Sequence, residues 1–449
     1  MRKLEKAPDL RGNIKIIDIE GLVPANHLLR KIDRVVDFNR VYDMVEDLYC
    51  EDNGRPAADP VVLVKMAFIQ HLYGIKSLRQ TVKEIDMNIA YRWFLHYDID
   101  TPIPHFATVS YAFTTRFPNE LFEKIFAWIL ESAVERRLVD AATVFIDATH
   151  IKASANKKKN RKVLAEKTAR VYDEQLRAEI DADRETHDKK PLKDKSDDDP
   201  PKDGDQTVTE STTDPDCGLF HKGEHKVEFA YTTHVACDEH NFILSCEVTP
   251  GNVHDSRVFD TVYDDVTEKF DEVETVAVDA GYKTPWICKK VQDDGKSIST
   301  TYKSPMTKRG FFRSYEFVYD EYYDCVICPN NQVLKYSTTN RDGYREFKSD
   351  PKVCITCQYR SRCTESRNCQ KLAQKHIWDN YIDRAEDFRH SPAGRTSYGL
   401  RSQTIERVFA DAKEKHGMRY TMLRGIDRVR NWVRLKFATM NLKKMAMWA

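Results

Sequence analysis

Two apolar runs, TVFI at 143–146 and TVAV at 275–278, each stop on an aspartate, Asp147 and Asp279. Runs this short and this rich in β-branched residues read as buried strands. A single aspartate after a strand is most simply a turn residue, because its side chain hydrogen-bonds nearby backbone. Two strands that end alike within one α/β region call for more than that. Carboxylates at the ends of adjacent parallel strands meet at the carboxyl edge of the sheet, where such folds build their sites. The pair repels unless it is protonated or neutralised by a cation. Oxygen-only ligands favour Mg²⁺ or Mn²⁺ over zinc.

The texture on either side of these strands divides the chain. Residues 1–138 read as a helical domain. In ADPVVLVKMAFIQHLYG, Asp59 is an N-cap, Pro60 takes the first helical position and Gly74 closes the helix. Ser77 and Gln80 stand at capping-box spacing, and Phe122, Ile125, Phe126 and Ile129 share one face of a later helix. TPIPHFATVSYAFTTRF between them is a short helix after a turn. Both a DNA-reading helix-turn-helix and a plain bundle fit this spacing.

From about 139 the pattern changes to strands. AATVFID is the first, EFAYTTHVACDEHNFILSCEVTPG a hairpin turning at Asp238–Asn241, ETVAVDAGY the fourth, and SISTTYKS a candidate fifth. Residues 139–303 thus form the first part of a mixed-sheet core. A charged insertion at 152–214 interrupts it, with a helix expected early and the composition of a mobile loop around 181–214. Residues 304–385 are Cys-rich, and 386–449 return to amphipathic helix. The fold class is α+β or α/β.

Net charge is zero over 449 residues, so affinity for nucleic acid has to come from local patches. Residues 401–449 supply one, with 12 Lys or Arg against 4 Asp or Glu. No apolar run has the length of a membrane span, and MRKLEKAPDLRGN lacks the apolar block of a signal peptide. A cytoplasmic chain is expected, with its 11 cysteines reduced.

A third carboxylate lies in SQTIERVFADAKEKHGMRY. Ile405, Val408, Phe409 and Ala412 form an apolar helical stripe with Glu406 at its edge, and Lys413 is aligned with Glu406 two turns on. A solvated Glu/Lys surface pair is the plain alternative. Taken together, VFIDATHIKA, VAVDAGYKT and RSQTIERVFADAKEKHGMRYTMLRG resemble the three acid-bearing segments of the DDE transposases of bacterial insertion sequences. GLVPANHLLRKID, GRPAADPVVLVKMAFIQHLYGIKSLRQ and AYRWFL resemble that family's helical leader.

The resemblance implies an RNase H-like catalytic domain in which Asp147, Asp279 and Glu406 hold two Mg²⁺ or Mn²⁺ ions. It implies in-line cleavage of double-stranded DNA at the element ends and joining of the freed 3′-hydroxyl to target DNA. A homodimer on DNA in a bacterial, nucleoid-associated setting is implied too. Tyr398, Arg401, Glu406 and Lys413 follow the order of a family signature, but four residues separate Arg401 from Glu406 where the family has three. Arg407 is therefore the substitute for Arg401. Lys157, Lys158 and Lys159 join these as DNA-backbone candidates. His150 and Tyr282 flank the acids, and His254 and Asp255 in GNVHDSRVF read first as a strand-end turn. A transposase-derived DNA-binding protein without catalysis is the alternative, and an RNase H-like nuclease without strand transfer is another.

The Cys-rich stretch carries its own metal signal. Cys325 and Cys328 form one CxxC pair and Cys354 and Cys357 a second. That spacing matches a zinc ribbon with a structural, closed coordination sphere. Cys363 can replace either member of the second pair, and Cys369 follows. The polar region between the pairs is expected to bury no core of its own, so that a metal would supply its folding energy.

Overall fold

The computed structural model describes residues 18–49, 57–164, 172–193, 207–222, 226–304 and 307–448. The N-terminal stretch MRKLEKAPDLRGN and residues 194–206 of the charged insertion lie outside the described residues. Two units emerge. One takes the N-terminal helices through Val139 together with Phe409–Leu423 and Asp427 onward, and the other takes Asp140–Val408 with Arg424–Ile426. Residues 386–449 were expected to stay with the sheet. In the structure most of 409–448 groups with the N-terminal helices instead.

The helical unit follows its local signals closely. Helix Pro60–Leu72 is capped by Asp59, whose side chain accepts from the Val61 N–H at 2.8 Å. Gly74 ends the turn after it with φ +62, and a Cβ there would meet the Lys415 carbonyl at 2.7 Å. Ser77 caps helix Leu78–Met87 by accepting from Gln80 N–H. The Gln80 amide turns to Glu84, so the reciprocal half of the capping box is not made. Helix Asn119–Glu135 buries Phe122, Ile125, Phe126 and Ile129 as its periodicity predicts. The segment between them forms helix Phe106–Tyr111 and a π-helical turn at Ala112–Arg116.

Helix Ile426–Trp448 is wetted on little of its circumference and buries Val429, Val433, Phe437, Leu442 and Met445. Asn431 Nδ2 donates to Asn119 Oδ1 at 2.7 Å, and Arg434 pairs with Glu123 at 2.7 Å. Lys436 is buried with them, its ammonium bonded to the His416 carbonyl. Burial lowers its pKa from 10.5 to about 7. The unfolded chain keeps that proton up to about its ordinary value while the folded state sheds it near 7. The unfolded state therefore binds more protons in between, and stability rises with pH across that window. Urea unfolding of wild type from pH 7 to 9 should show a rise of about 1 kcal/mol per pH unit that Lys436→Met lacks. Parallel profiles for the two proteins would show that Lys436 keeps its proton.

The second unit is built on a mixed sheet. Its strands are β1 (Thr143–Lys152), β4 (Gly218–Lys222), β5 (Lys226–Cys237), β6 (Ile243–Pro250), β7 (Thr275–Val278) and β8 (Ser297–Ser299), with β2 (Asn160–Leu164) and β3 (Thr207–Ser211) forming a separate ribbon. β1 is central. β5 pairs with it antiparallel and is itself flanked by β4 and β6, while β7 and β8 continue parallel on the other side. The β5–β6 turn falls at Asp238–Asn241, where Asn241 takes φ 64. The insertion differs from expectation: Asn160–Leu164 is strand, not helix, and the helix comes later at Asp173–Thr186.

The Cys-rich region forms a second sheet, in the order β13–β12–β11–β10–β9: β9 (Val318–Asp320), β10 (Cys325–Ile327), β11 (Val333–Thr339), β12 (Tyr344–Lys348) and β13 (Leu372–His376). It buries Val326, Leu334 and Phe347, which corrects the expectation that it has no core. Helix Asp173–Thr186 packs against β11, where Arg184 donates to the Thr339 carbonyl at 2.8 Å. Leu176 and Ile180 from that helix cluster with Trp378.

Candidate active site

Ile146 pairs with Val278, the last residue of β7. The next positions along the two strands are Asp147 and Asp279, which come side by side where β7 stops. β1 was expected to end on Asp147. It runs on to Lys152 because Ala148–Lys152 remain paired with β5. The juxtaposition argued from strand ends survives, because the strand that ends is β7.

Asp147 is mostly buried and Asp279 exposed. Burial pushes the Asp147 carboxyl up. Arg401 and the Ala148 N–H (2.8 Å) pull it back down, and Asp279 raises it again. Arg401 is 4% exposed. Its guanidinium donates to Asp147 Oδ2 at 2.5 Å and to the Ile146 and Ala277 carbonyls at 3.3 Å each. Arg401 was a candidate phosphate contact. The structure spends its donors on β1, β7 and Asp147, so it is a positioning residue. Tyr398 is half-buried with the Arg401 guanidinium 5.8 Å from its ring, and Arg407 is exposed.

Glu406 is exposed in the first turn of helix Ile405–Glu414, whose stripe Ile405, Val408, Phe409 and Ala412 is buried as read from the sequence. The turn Leu400–Ser402 that carries Arg401 leads into this helix. Among the described residues no group of three or more His, Cys, Asp or Glu is spaced to hold a metal ion. Glu406 is thus not gathered with the two aspartates into a ready cluster. Lys413 is half-buried later on the helix, and Lys157, Lys158 and Lys159 are exposed in the turn after β1.

A further acid stands beside Asp279. Asp255 opens the turn Asp255–Arg257, which packs against the turn Ala280–Tyr282 beside Asp279. Burial raises its carboxyl, His254 lowers it, and Asp147 and Asp279 raise it further. His234 stands behind it, with Nδ1 3.8 Å from Asp255 Oδ1 and Nε2 2.9 Å from Thr249 Oγ1. Burial, with His150 adding, lowers His234 to about 4. The Tyr282 hydroxyl is buried without a hydrogen-bond partner and is pushed well up by burial and then by Asp255. His150 packs on Phe220 and bonds Thr232 Oγ1 at 2.9 Å. GNVHDSRVF held the signal for Asp255. What the sequence lacked was the distance between two turns.

In the Cys-rich sheet, Cys328, Cys354, Cys357 and Cys363 line one cavity of about 50 Å³; burial raises the Cys363 thiol, Lys371 lowers it, and the other three thiols raise it further. Cys325 is not with them. It is buried beside Asp320 and Asp324, because an odd number of positions separates it from Cys328 along an extended segment and the two face opposite sides.

Comparison with known proteins bears on the two ends of this chain. Residues 17–115 match the family model described as a transposase domain (DUF772). Residues 327–446, which hold Glu406 and the later strands of the Cys-rich sheet, match the one described as a transposase DDE domain. No curated protein matches the chain. Asp147 and Asp279 fall outside both matched stretches. These two matches support an insertion-sequence DDE transposase.

Proposed function

We propose that the protein binds the ends of its insertion sequence, cleaves there to free 3′-hydroxyls, and joins them to target DNA. The observation that carries this is the register of Asp147 beside Asp279 at the end of β7, in a chain with a DDE domain downstream. The sheet, antiparallel on one side of β1 and parallel on the other, supports an RNase H-like core.

The donor set fits a hard cation: two carboxylates lie in one another's field, and the nearest fixed positive charge is already engaged with one oxygen of Asp147. Divalent ions held by Asp147, Asp279 and Glu406 would supply the polarisation that makes a water, or later a DNA 3′-hydroxyl, the attacking oxygen. Arg401 fixes the Asp147 carboxylate against the strand ends, and Asp255 and Tyr282 bound the site from the adjacent turns, with His234 of β5 behind Asp255. Glu406 would complete the set once its helix turn closes toward the aspartates on DNA. Exposed Lys157–Lys159 and Arg407 hold the backbone, and two copies of the chain pair the two ends. Incubating full-length protein with DNA carrying the flanking element ends and Mg²⁺, then mapping the products, tests the reading. New 3′-hydroxyls at the ends and joined target strands are expected. Tight binding with no cut would favour a non-catalytic DNA-binding role.

For the Cys-rich sheet we infer a structural zinc held by Cys328, Cys354, Cys357 and Cys363, which would draw together around it. Protein purified without chelator should carry about one zinc per chain. Cys328→Ser with Cys357→Ser should remove it and expose 304–385 to protease, whereas Cys325→Ser should keep it. Metal-free protein with an intact, protease-resistant sheet would defeat the idea.

A further inference from the structure

The helical unit contains a cavity of about 830 Å³ that the cleavage site does not use. Phe106, Phe113 and Trp432 are half-buried in its wall. Its buried floor presents His71, 4% exposed, whose Nδ1 has no hydrogen-bond partner. Beside it lies Lys436, whose ammonium sits 4.5 Å from the Trp432 ring centroid. His71 and His416 are tied together by the 2.8 Å contact of His416 Nδ1 with the His71 carbonyl. Burial holds His71 neutral, so its free ring nitrogen can donate or accept according to tautomer. At the mouth, Lys76, Arg79 and Arg428 are exposed, and Lys413 is half-buried. Among the described lining residues Glu414 is the only acid, and Arg419 pairs with it.

We propose that this cavity receives one unstacked base of the DNA strand the protein acts on, with the flanking phosphates against the cations at its mouth. The inference rests on the DNA reading above. A flat ligand with a hydrogen-bonding edge matches aromatic walls and a polar floor. A ring of one sign of charge at the opening matches a phosphate chain. Intact duplex is too wide for the cavity, with a major groove alone about 12 Å across, so the base has to leave the stack. An apolar peptide would leave the His71 nitrogen unpaired and gain nothing from the cations.

The probe is a fluorescein-labelled twelve-residue oligothymidylate, compared by anisotropy with a twelve-residue abasic oligomer of the same charge, on the full chain at fixed low salt. Wild type should bind the thymidylate about tenfold tighter, the value of one stacked base. Trp432→Leu and Phe113→Leu should each erase the preference while leaving abasic affinity within about twofold. Arg79→Gln with Arg428→Gln should weaken both oligomers alike. Equal wild-type affinities, a comparison that needs no variant, would overturn the pocket, as would a preference that persists in both wall variants. A chain that cuts element ends yet shows no base preference loses the pocket and keeps the transposase reading. One that shows the preference but cuts nothing does the reverse.

Discussion

Asp147→Asn or Asp279→Asn should lower DNA cleavage by about a thousandfold or more with DNA affinity little changed, and Asp279→Asn should leave folding little changed as well. Each substitution keeps the side-chain volume and removes a charge that a cation would bridge. Losses of this size are usual when one member of a catalytic unit is removed. The structure makes the two cases unequal in a useful way. Asp279 is exposed, so its amide meets water, whereas Asp147 is mostly buried against Arg401. Asp279→Asn is therefore the cleaner test, and Mg²⁺-dependent cutting at wild-type rate by that variant would remove Asp279 from the site. Glu406→Gln should match it if the helix turn closes on DNA. Asp255→Asn should show a smaller loss that deepens at low Mg²⁺, and no dependence on Mg²⁺ would return Asp255 to a turn role.

Arg401→Met should destabilise the sheet unit by about 3–5 kcal/mol, the scale for breaking a buried ion pair. The guanidinium is 5% exposed in its side chain and satisfies the carboxylate of Asp147 and two carbonyls, one from each parallel strand. Without it Asp147 is a buried charge with only the Ala148 N–H for company. Adding Asp147→Asn to Arg401→Met should recover part of the loss, because the orphaned charge is gone. Amide exchange across Thr143–Ile146 and Thr275–Val278 reports the effect where it occurs. Exchange unchanged from wild type would show that the clamp is dispensable.

Arg401 also marks where sequence reading stops. Its position in a signature-like series pointed to DNA, and only the fold shows three of its contacts pointing inward. The apolar stripe from Ile405 to Ala412 was legible because helical period alone decides burial on one face. The adjacency of Asp147 and Asp279 was legible because both follow β-branched runs of equal length. Cys325 and Cys328 looked like partners because spacing does not state whether the segment between them is extended. The docking of Leu176 and Ile180 beside Trp378 joins residues about two hundred positions apart, and neither segment's local pattern encodes the other. Asp255 was visible in GNVHDSRVF as a turn residue. Its nearness to Asp147 and Asp279 depends on how two turns pack.

The helical unit draws on both ends of the sequence, Leu28–Val35 and its neighbours early and Ile426–Trp448 last. During synthesis, helix Asn119–Glu135 leaves the ribosome nearly three hundred residues before the partner that covers it. At roughly 5–20 residues per second that interval is on the order of 15–60 s. Through all of it Phe122 lacks the wall that Trp432 and Leu435 supply. Nascent chains should therefore engage chaperones through the N-terminal helices, and a stop codon anywhere before residue 426 leaves the first-made part of the protein without its last-made wall.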